Sequence, residues 1–407
     1  MSQIYDVVII GGGLNGTALA LALGQAGLSV ALIERLPPGV MADPAFDGRS
    51  YSLAQGSTNI LGGLGIWDNI VDLAQPIEKI VVSDGHAGQG PSALSLAFDG
   101  AELESGPPGH LLEDRHLRRA IQAALEQTGV TQISGAAVAN HVVAHAEAWA
   151  ELDSGDRVRG RMIVGADGMG SPVAARSGIS RMEWSYGQTS FSCAIEHTNP
   201  HHGVAHQFFM PPGPLAILPL RGNRASIVWT ENERSAHRIA SLDDEGYLAL
   251  LKPRIGDFLG SFKLVGQRYA YPVPLSIARR FHASRVALIG DAAHRVHPIA
   301  GQGLNAGLKD VAALAEVVVD AARRGEDFGS RSVLARYEQW RRFDVASLAL
   351  ATDSVNRLFS NDNALIRFGR DLGMGLIGQL PTLRLAFMRE AAGLTGDLPR
   401  LSRGLAI

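Results

Sequence analysis

Residues 7–16 read VVIIGGGLNG, and the fold of the chain can be worked outward from this stretch. Val7–Ile10 is a short apolar run of the kind a buried parallel strand shows. It leads into Gly11-Gly12-Gly13-Leu14-Asn15-Gly16, a G-x-G-x-x-G that opens an apolar helix over Thr17–Gln25. Gly11 permits the tight turn, Gly13 lets backbone N–H groups approach a pyrophosphate, and Gly16 allows the helix to pack closely on the strand. The helix N-terminus offers partial positive charge to the same anion. A second strand, Ser29–Ile33, ends at Glu34, whose carboxylate can accept hydrogen bonds from both ribose hydroxyls. An acid there disfavours a 2′-phosphate, so the site suits the ADP half of FAD or NAD rather than NADP. Leu14 and Asn15 inside the turn and Arg35 after the acid are further candidate contacts.

Two distant stretches extend this site. Residues 164–168 read VGADG, and residues 286–305 read VALIGDAAHRVHPIAGQGLN. In the latter, Arg285–Ile289 reads as a strand running into Gly290-Asp291. An aspartate at that strand end can receive hydrogen bonds from the ribityl chain of a flavin. His297 to Asn305 then forms a second glycine-rich loop before an apolar helix expected from about Ala306 to Ala322. The dipole of that helix would face the flavin pyrimidine edge, where negative charge collects on reduction. An NAD dehydrogenase has no use for this second cradle, so the pair of cradles points to FAD. The candidate contacts here are Asp291, Pro298, Gly301, Gln302, Gly303, Leu304 and Asn305, with Val138 and Asp167 from the middle of the chain. Asp167 is equally readable as a strand-end turn residue.

These motifs resemble the class A flavoprotein monooxygenases, which have the fold of para-hydroxybenzoate hydroxylase. The chain is most similar to the ubiquinone-biosynthesis hydroxylases, through Phe46-Asp47-Gly48-Arg49, Ser83-Asp84-Gly85-His86-Ala87-Gly88, Gly213 to Pro219 (GPLAILP) and His297 to Gly303. Within them the SDGHAG and GPLAILPL segments resemble the 2-polyprenyl-6-methoxyphenol hydroxylase branch. The similarity runs from residue 4 to about residue 375. It implies a mixed α/β fold, with a Rossmann-like FAD-binding domain interleaved with an antiparallel substrate sheet and a helical C-terminal region. It also implies that Arg49 and Arg115 contact the flavin or its phosphates; the alternative for each is a surface ion pair of little energetic weight.

The implied chemistry inserts one oxygen from O2 into a polyprenylated phenol through a flavin C4a-hydroperoxide, with NAD(P)H or another electron donor. Such chemistry asks the protein to position the ring, stabilise anions and exclude water. It needs no Ser-His-Asp or paired-carboxylate constellation, and none is visible. His297 is the one titratable group to consider for proton traffic, against the alternative of a structural histidine before Pro298. The resemblance also suggests contact with other ubiquinone-pathway proteins or a lipid carrier. It leaves room for a homo-oligomer and for a peripheral position on the inner face of the cytoplasmic membrane. Arginines at 367, 370, 384, 389, 400 and 403 lie among apolar residues. Leu383, Leu385, Phe387 and Met388 beside Arg384 and Arg389 fit either an amphipathic surface element or a segment packed on the flavin domain.

Composition bounds the rest. The 407 residues allow about two or three domains, and 46% hydrophobic content supports a large core. A net charge of −3, without a basic cluster, gives no general attraction to nucleic acid. The single cysteine, Cys193, excludes an internal disulfide and fits a reducing cytoplasm. The N-terminus enters a strand within a few residues, so no signal peptide is expected. No apolar stretch is long enough to span a membrane. His197, His201, His202 and His206 form a local cluster, but Asn199-Pro200 and Gly203 break any helix that would align them, and no metal is expected.

The expected organisation places residues 1–75, 106–179 and 276–340 in the FAD-binding domain. Residues 76–105 and 180–275 form the substrate sheet, with one helical piece near 242–255, and 341–407 form the helical end. Val138 to Val164 alternates as a meander, with Asp153-Ser154-Gly155-Asp156 as its hairpin turn. Two other readings stay open: a soluble aromatic-acid hydroxylase with a pocket cation for its carboxylate, and a non-catalytic FAD-binding subunit of a biosynthetic assembly.

Overall fold

A computed structural model of the chain describes residues 3–41, 43–86, 90–104, 106–297, 299–359 and 380–407. Strand β1 (Ile4–Ile10) is buried over its last four residues and feeds helix α1 (Leu14–Gln25), after which β2 (Val30–Glu34) returns parallel to it. Two glycines at this turn, Gly11 and Gly16, have no room for side chains. A Cβ on Gly11 would lie 2.3 Å from the Ala166 carbonyl oxygen, and one on Gly16 would lie 1.9 Å from the Gly11 oxygen. Next come α2 (Pro38–Met41), β3 (Ser50–Ala54), α3 (Gln55–Gly63), β4 (Gln75–Pro76) and the antiparallel pair β5 (Lys79–His86) and β6 (Gly90–Asp99).

The chain then forms β7 (Gly109–Glu113), the amphipathic α4 (Asp114–Leu125) and β8 (Thr131–Ser134). The meander follows as β9 (Val138–Val143), β10 (Ala148–Leu152) and β11 (Arg157–Gly165), with its turn at Asp153–Asp156, and then α5 (Pro172–Arg176). A long run of strands comes next: β12 (Arg181–His197), β13 (Val204–Met210), β14 (Gly213–Leu220) and β15 (Arg224–Asn232). Helices α6 (Glu233–Ala240) and α7 (Asp244–Ile255) separate these from β16 (Phe262–Ala278). The last part holds β17 (His282–Ala283), β18 (Val286–Leu288), β19 (His294–Arg295), α8 (Gln302–Arg323), α9 (Arg331–Phe359) and α10 (Pro381–Ala391).

Two large sheets organise these elements. The first has the order β17-β18-β11-β1-β2-β8, parallel from β18 to β8, with the β9–β10 meander paired onto β11. The second has the order β19-β16-β12-β15-β14-β13-β5-β6. It is antiparallel except where β13 pairs parallel with β5, Val204 opposite Lys79. That single pairing joins residues 76–105 to residues 180–275, which are far apart in the chain. One face of the second sheet carries Phe191, Trp229 and Leu215 at directly opposed positions, and these pack with Tyr247 and Leu251 of α7. The other face is left for the cleft described below.

Three elements depart from the sequence expectations. Helix α6 precedes the anticipated helical piece; it is a short amphipathic helix that buries only Ala236 and Ile239, too few apolar residues to stand out in the sequence. Its start is set by Asn232, whose side chain accepts from the Ser235 N–H at 3.0 Å. Helix α8 begins at Gln302 rather than Ala306, because Gly301 turns the chain at φ +64° and GQGLN forms its first turn. The boundary expected at 340 falls inside α9, which is one helix from Arg331 to Phe359. Toward the C-terminus, Met388 of α10 is buried and Arg384 pairs with Glu102 at 2.8 Å. The Gly56 N–H donates to the Ala392 carbonyl just beyond. This segment therefore packs on the fold, while Phe387 stays exposed; Arg367 and Arg370 lie outside the described residues. No described helix is long and apolar enough to cross a membrane.

A buried carboxylate ties the last third of the molecule together. Asp310 of α8 is fully buried; one of its oxygens accepts from the Gly290 N–H at 2.9 Å and lies 2.6 Å from His294 Nε2. The other accepts from Arg341 Nε of α9 at 2.8 Å. Burial pushes the Asp310 pKa up, but His294 and Arg341 outweigh it and hold the carboxyl below its ordinary value. Its contribution to stability is therefore complete above about pH 4 and is lost as pH falls through the lower folded value. Replacing Asp310 by Asn leaves the buried Arg341 with only the half-exposed Asp344, at 2.6 Å, as its counter-charge, and urea unfolding at pH 7 is expected to show a loss of about 3 kcal/mol. A loss below about 1 kcal/mol, the range of an exposed pair, would show that the clamp carries no such weight.

Candidate cofactor and substrate cleft

Two helix N-termini converge on one cleft of about 490 Å³ between the sheets. From α1 it is lined by Gly13, Leu14, Asn15 and Gly16, and from the α8 end by Gly301, Gly303 and Leu304. Neither helix has a side-chain cap: Gly13 and Gly301 occupy the N-cap positions, so first-turn N–H groups remain for a ligand. A Cβ on Gly13 or on Gly303 would meet nothing within 4 Å, so both backbones face open space. Between the two termini the Asn15 side chain is wedged against Gly290 and Gly307, where a Cβ would come within 2.4 and 2.2 Å of its Nδ2. Asn15 Oδ1 is buried with no hydrogen-bond partner. Two uncapped dipoles and an unpartnered amide oxygen in one cleft fit a long polar ligand that carries anionic charge at two places.

An adjoining cavity of about 540 Å³ continues from Gly11 and Gly13 along the ends of β1 and β2, lined by Ile33, Glu34, Arg35, Leu36, Val138, Ala166 and Asp167. The Glu34 carboxylate is already oriented: Oε2 accepts from the Gly12 N–H at 2.6 Å and Oε1 from the Leu36 N–H at 2.9 Å. Each oxygen retains a lone pair for an incoming hydroxyl. Asp167 accepts from the Ser171 hydroxyl and from the Val173 N–H at 3.0 Å, so it anchors the start of α5 while lining the cavity.

The wall opposite the α8 N-terminus comes from the second sheet. Ser192, Val228 and Ala216 are opposed across three neighbouring strands, with Ser226 opposite Leu218 beside them and Tyr271 on β16. Residues directly opposite in a sheet share a face, so the alternation that sends Phe191 and Trp229 into the α7 core sends these into the cleft. Burial raises the Tyr271 pKa, although Arg295 and a hydrogen bond with Ser190 act the other way, so its hydroxyl is a neutral group at physiological pH. Strands β12, β14, β15 and β16 present hydroxyls and apolar groups on this wall, and Arg295 of β19 lies over the Tyr271 ring beside them.

The comparisons with known proteins agree with this geometry. The FAD binding domain family matches residues 4–351. Ubiquinone hydroxylase UbiL of Rhodospirillum rubrum is 40% identical, over 100% of this chain and 94% of that protein. The 3-demethoxyubiquinol 3-hydroxylase of Escherichia coli is 32% identical, over 97% of this chain and 100% of that protein. The chain belongs to the FAD-dependent ubiquinone hydroxylase family. Among solved structures, p-nitrophenol 4-monooxygenase PnpA from Pseudomonas putida shares the fold, with a TM-score of 0.81 at 20% identity, covering 98% of this chain and 100% of that one.

Within this family member, the structure distributes the expected contact residues unevenly. Gly11, Gly13, Leu14, Asn15, Gly16, Glu34, Arg35, Val138, Asp167, Asp291, Gly301, Gly303 and Leu304 all line one of the two cavities, Asp291 at the exposed rim. Pro298 lies outside the described residues, as do Ala87 and Gly88. Gln302 stands in the first turn of α8 but is absent from both linings. Asn305 serves another purpose: its amide donates to the Ser52 and Gly301 carbonyls and accepts from the Ala54 N–H and the Ser57 hydroxyl. All its hydrogen-bonding capacity goes into fixing β3 and α3 against the α8 terminus.

Neither arginine is brought to the cleft lining. Arg49 pairs with Asp47 at 2.7 Å and Asp114 at 3.4 Å and lies over the Tyr269 ring. Arg115 pairs with Glu113 at 2.7 Å and donates to the Pro44 carbonyl at 3.0 Å. Three residues along α4, Arg118 lines the cleft instead, held at 2.8 Å by Asp114, which also accepts from the Tyr51 hydroxyl at 3.0 Å. His297 is likewise absent from the cleft lining. It is fully buried, contacts Gln188 at 3.2 Å and is driven down to a pKa of about 4 by desolvation, so it stays neutral near pH 7. His294, three residues earlier, lines the cleft and is oriented by Asp310. In the histidine cluster, His201 Nε2 lies 2.8 Å from the Leu220 carbonyl and His197 Nδ1 lies 2.8 Å from that of Asn199. Among the described residues, no group of three or more His, Cys, Asp or Glu side chains is placed to hold a metal.

The open face at Gly303 separates cofactor binding from folding. A Gly303→Asp substitution meets no steric obstacle and adds an anion at a helix N-terminus, which favours the helix itself. It should leave the melting temperature unchanged or slightly raised while weakening FAD binding by at least roughly ten-fold, about 1.4 kcal/mol, in fluorescence titration. Unchanged FAD affinity would show that the cofactor does not approach α8.

Proposed function

We propose that this protein is a FAD-dependent monooxygenase that hydroxylates the ring of a polyprenylated phenol in ubiquinone biosynthesis. On this reading the units formed by residues 1–75, 106–179 and 276–340 hold the cofactor, and residues 76–105 with 180–275 cover the substrate. The observation that carries it is the hydroxyl-bearing, largely apolar sheet wall facing an uncapped helix N-terminus across the cleft.

Glu34 would take the ribose, the α1 N-terminus the diphosphate, and the α8 N-terminus the electron-rich edge of the flavin ring. When bound, FAD would accept electrons from NAD(P)H or another donor and activate O2, so that one oxygen enters the ring and the other leaves as water. The chain's own residues position and shield. Tyr271, Ser192 and Ser226 offer hydroxyls to orient a phenol, while Ala216, Leu218 and Val228 keep water from the reacting face. An aromatic acid would need a free cation on this wall. Of the cationic residues at the cleft, Arg118 is paired with Asp114, while Arg295 donates to the Pro272 carbonyl at 3.0 Å and keeps its charge beside Tyr271. The rest of the wall, hydroxyl-bearing and apolar, suits a phenol ring. A substrate this apolar has to be collected from a membrane or a lipid carrier, which fits a peripheral location and contact with other ubiquinone-pathway proteins.

Purified protein loaded with FAD, given a reductant, a prenylated phenol and isotopically labelled O2, should yield a ring-hydroxylated product carrying one labelled oxygen by mass spectrometry. Flavin reduction and oxygen consumption with no labelled product from any prenylated phenol would reject the hydroxylase reading and favour a non-catalytic FAD-binding subunit.

A further inference from the structure

Gln188 of β12 ties three other segments together inside the molecule. Its side-chain oxygen accepts from Asn356 Nδ2 of α9 at 3.1 Å and lies 3.2 Å from His297 Nε2. Its side-chain nitrogen donates to the Pro212 carbonyl, between β13 and β14, at 3.0 Å. Gln188, His297 and Asn356 are all buried. The Pro212 carbonyl can only accept, which fixes the orientation of the amide and turns its oxygen to His297. His297 therefore carries its proton on Nε2, and its Nδ1 is a buried acceptor with no partner among the described residues. The hydrogen bond to Gln188 holds the imidazole, and the Tyr186 ring packs edge-on against it at 5.4 Å.

Gln188 reaches this position through a break in β12. Gly187 has φ +63°, and the pairing of β12 with β16 shifts register between Ser185 and Thr189. From Gln188 onward the pairing with β15 is regular, with Gln188 opposite Asn232, Ser190 opposite Thr230 and Ser192 opposite Val228. Gln188, Ser190 and Ser192 therefore share a face, the one on which Ser192 and Val228 line the cleft.

The far side of the contact leads to the second helix terminus. Gly301, which lines the cleft and precedes α8, lies four residues after His297. On either side of His297 the chain is held from within: Asp310 holds His294, and Asn305 donates to the Gly301 carbonyl at 3.0 Å. Gln188 supplies the hold between them, and it comes from the substrate sheet rather than from α8. Asn356 braces it from α9, fifteen residues or roughly 22 Å beyond the Arg341 that meets Asp310.

We infer that Gln188 is a positioning residue: through His297 it fixes where the α8 N-terminus meets the flavin, and so sets how strongly reduced FAD is favoured over oxidised FAD. The inference rests on the reading above that this terminus faces the electron-rich edge of the ring. A helix terminus acts on a charge only within about its first turn. A displaced terminus therefore costs the reduced cofactor more than the oxidised one.

The test measures FAD affinity and two-electron reduction potential on the full-length holoprotein, by fluorescence titration and dye equilibration. Gln188→Leu removes the acceptor and keeps an apolar side chain of similar reach. It should weaken reduced FAD at least ten-fold more than oxidised FAD, a potential at least about 30 mV more negative. His297→Phe keeps a ring and loses the same hydrogen bond, so it should give this shift even where Gln188→Leu does not fold. The double variant should shift the potential no further than the larger single change. Trp229→Phe, in the α7-side core of the same sheet, is the control for lost stability and should leave the potential unmoved. The inference is overturned if either folded variant keeps the wild-type potential, if the two shifts add, or if Trp229→Phe shifts it equally. Wild-type protein that binds no FAD would reject the functional reading and this inference together, whereas an unmoved potential in a variant that binds FAD rejects this inference alone.

Discussion

The Asp310 carboxylate is the constraint on which the geometry of the site depends. It sits inside α8, yet its partners come from the loop after β18, from β19 and from α9. A buried charge is tolerated only when paired and hydrogen-bonded, and here both oxygens are satisfied. The effect is to hold the N-terminus of α8 in register with the end of the first sheet. Asn305, one helical turn inside the same helix, extends the hold to β3 and α3. The α8 terminus can then remain uncapped toward the cleft, because its position is set from behind.

What the sequence makes legible is governed by residue type and local spacing. The glycines of the first turn announce themselves because no other residue fits: Gly11 and Gly16 stand against backbone oxygens at distances no Cβ could share. Glu34 is legible for a similar reason, since an acid at a strand end beside a glycine turn has few alternative duties. The alternation of Ser192 and Cys193, or Val228 and Trp229, shows that the second sheet has two unlike faces. It does not show which face meets the cofactor.

The illegible parts depend on helix phase and distant packing. Arg115 and Arg118 differ by less than one turn of α4, and only the pairing of Asp114 with Tyr51 and Arg118 decides which points to the cleft. His297 and His294 are three residues apart in a loop. Their difference arises from Gln188, more than a hundred residues earlier, which closes over one, and from Asp310, which presents the other. The first turn of α8 looks like a loop in the sequence because its glycines carry low helix propensity; tertiary hydrogen bonds between Asn305 and Ser52 and Ala54 override that preference.

The account stands or falls on whether the two converging helix termini hold one FAD. The most direct measurement is the visible absorption of the purified protein, followed by release and identification of the nucleotide. The account predicts oxidised-flavin bands and FAD released at one molecule per chain, either as purified or after incubation with FAD. A colourless protein that takes up no added FAD would contradict it.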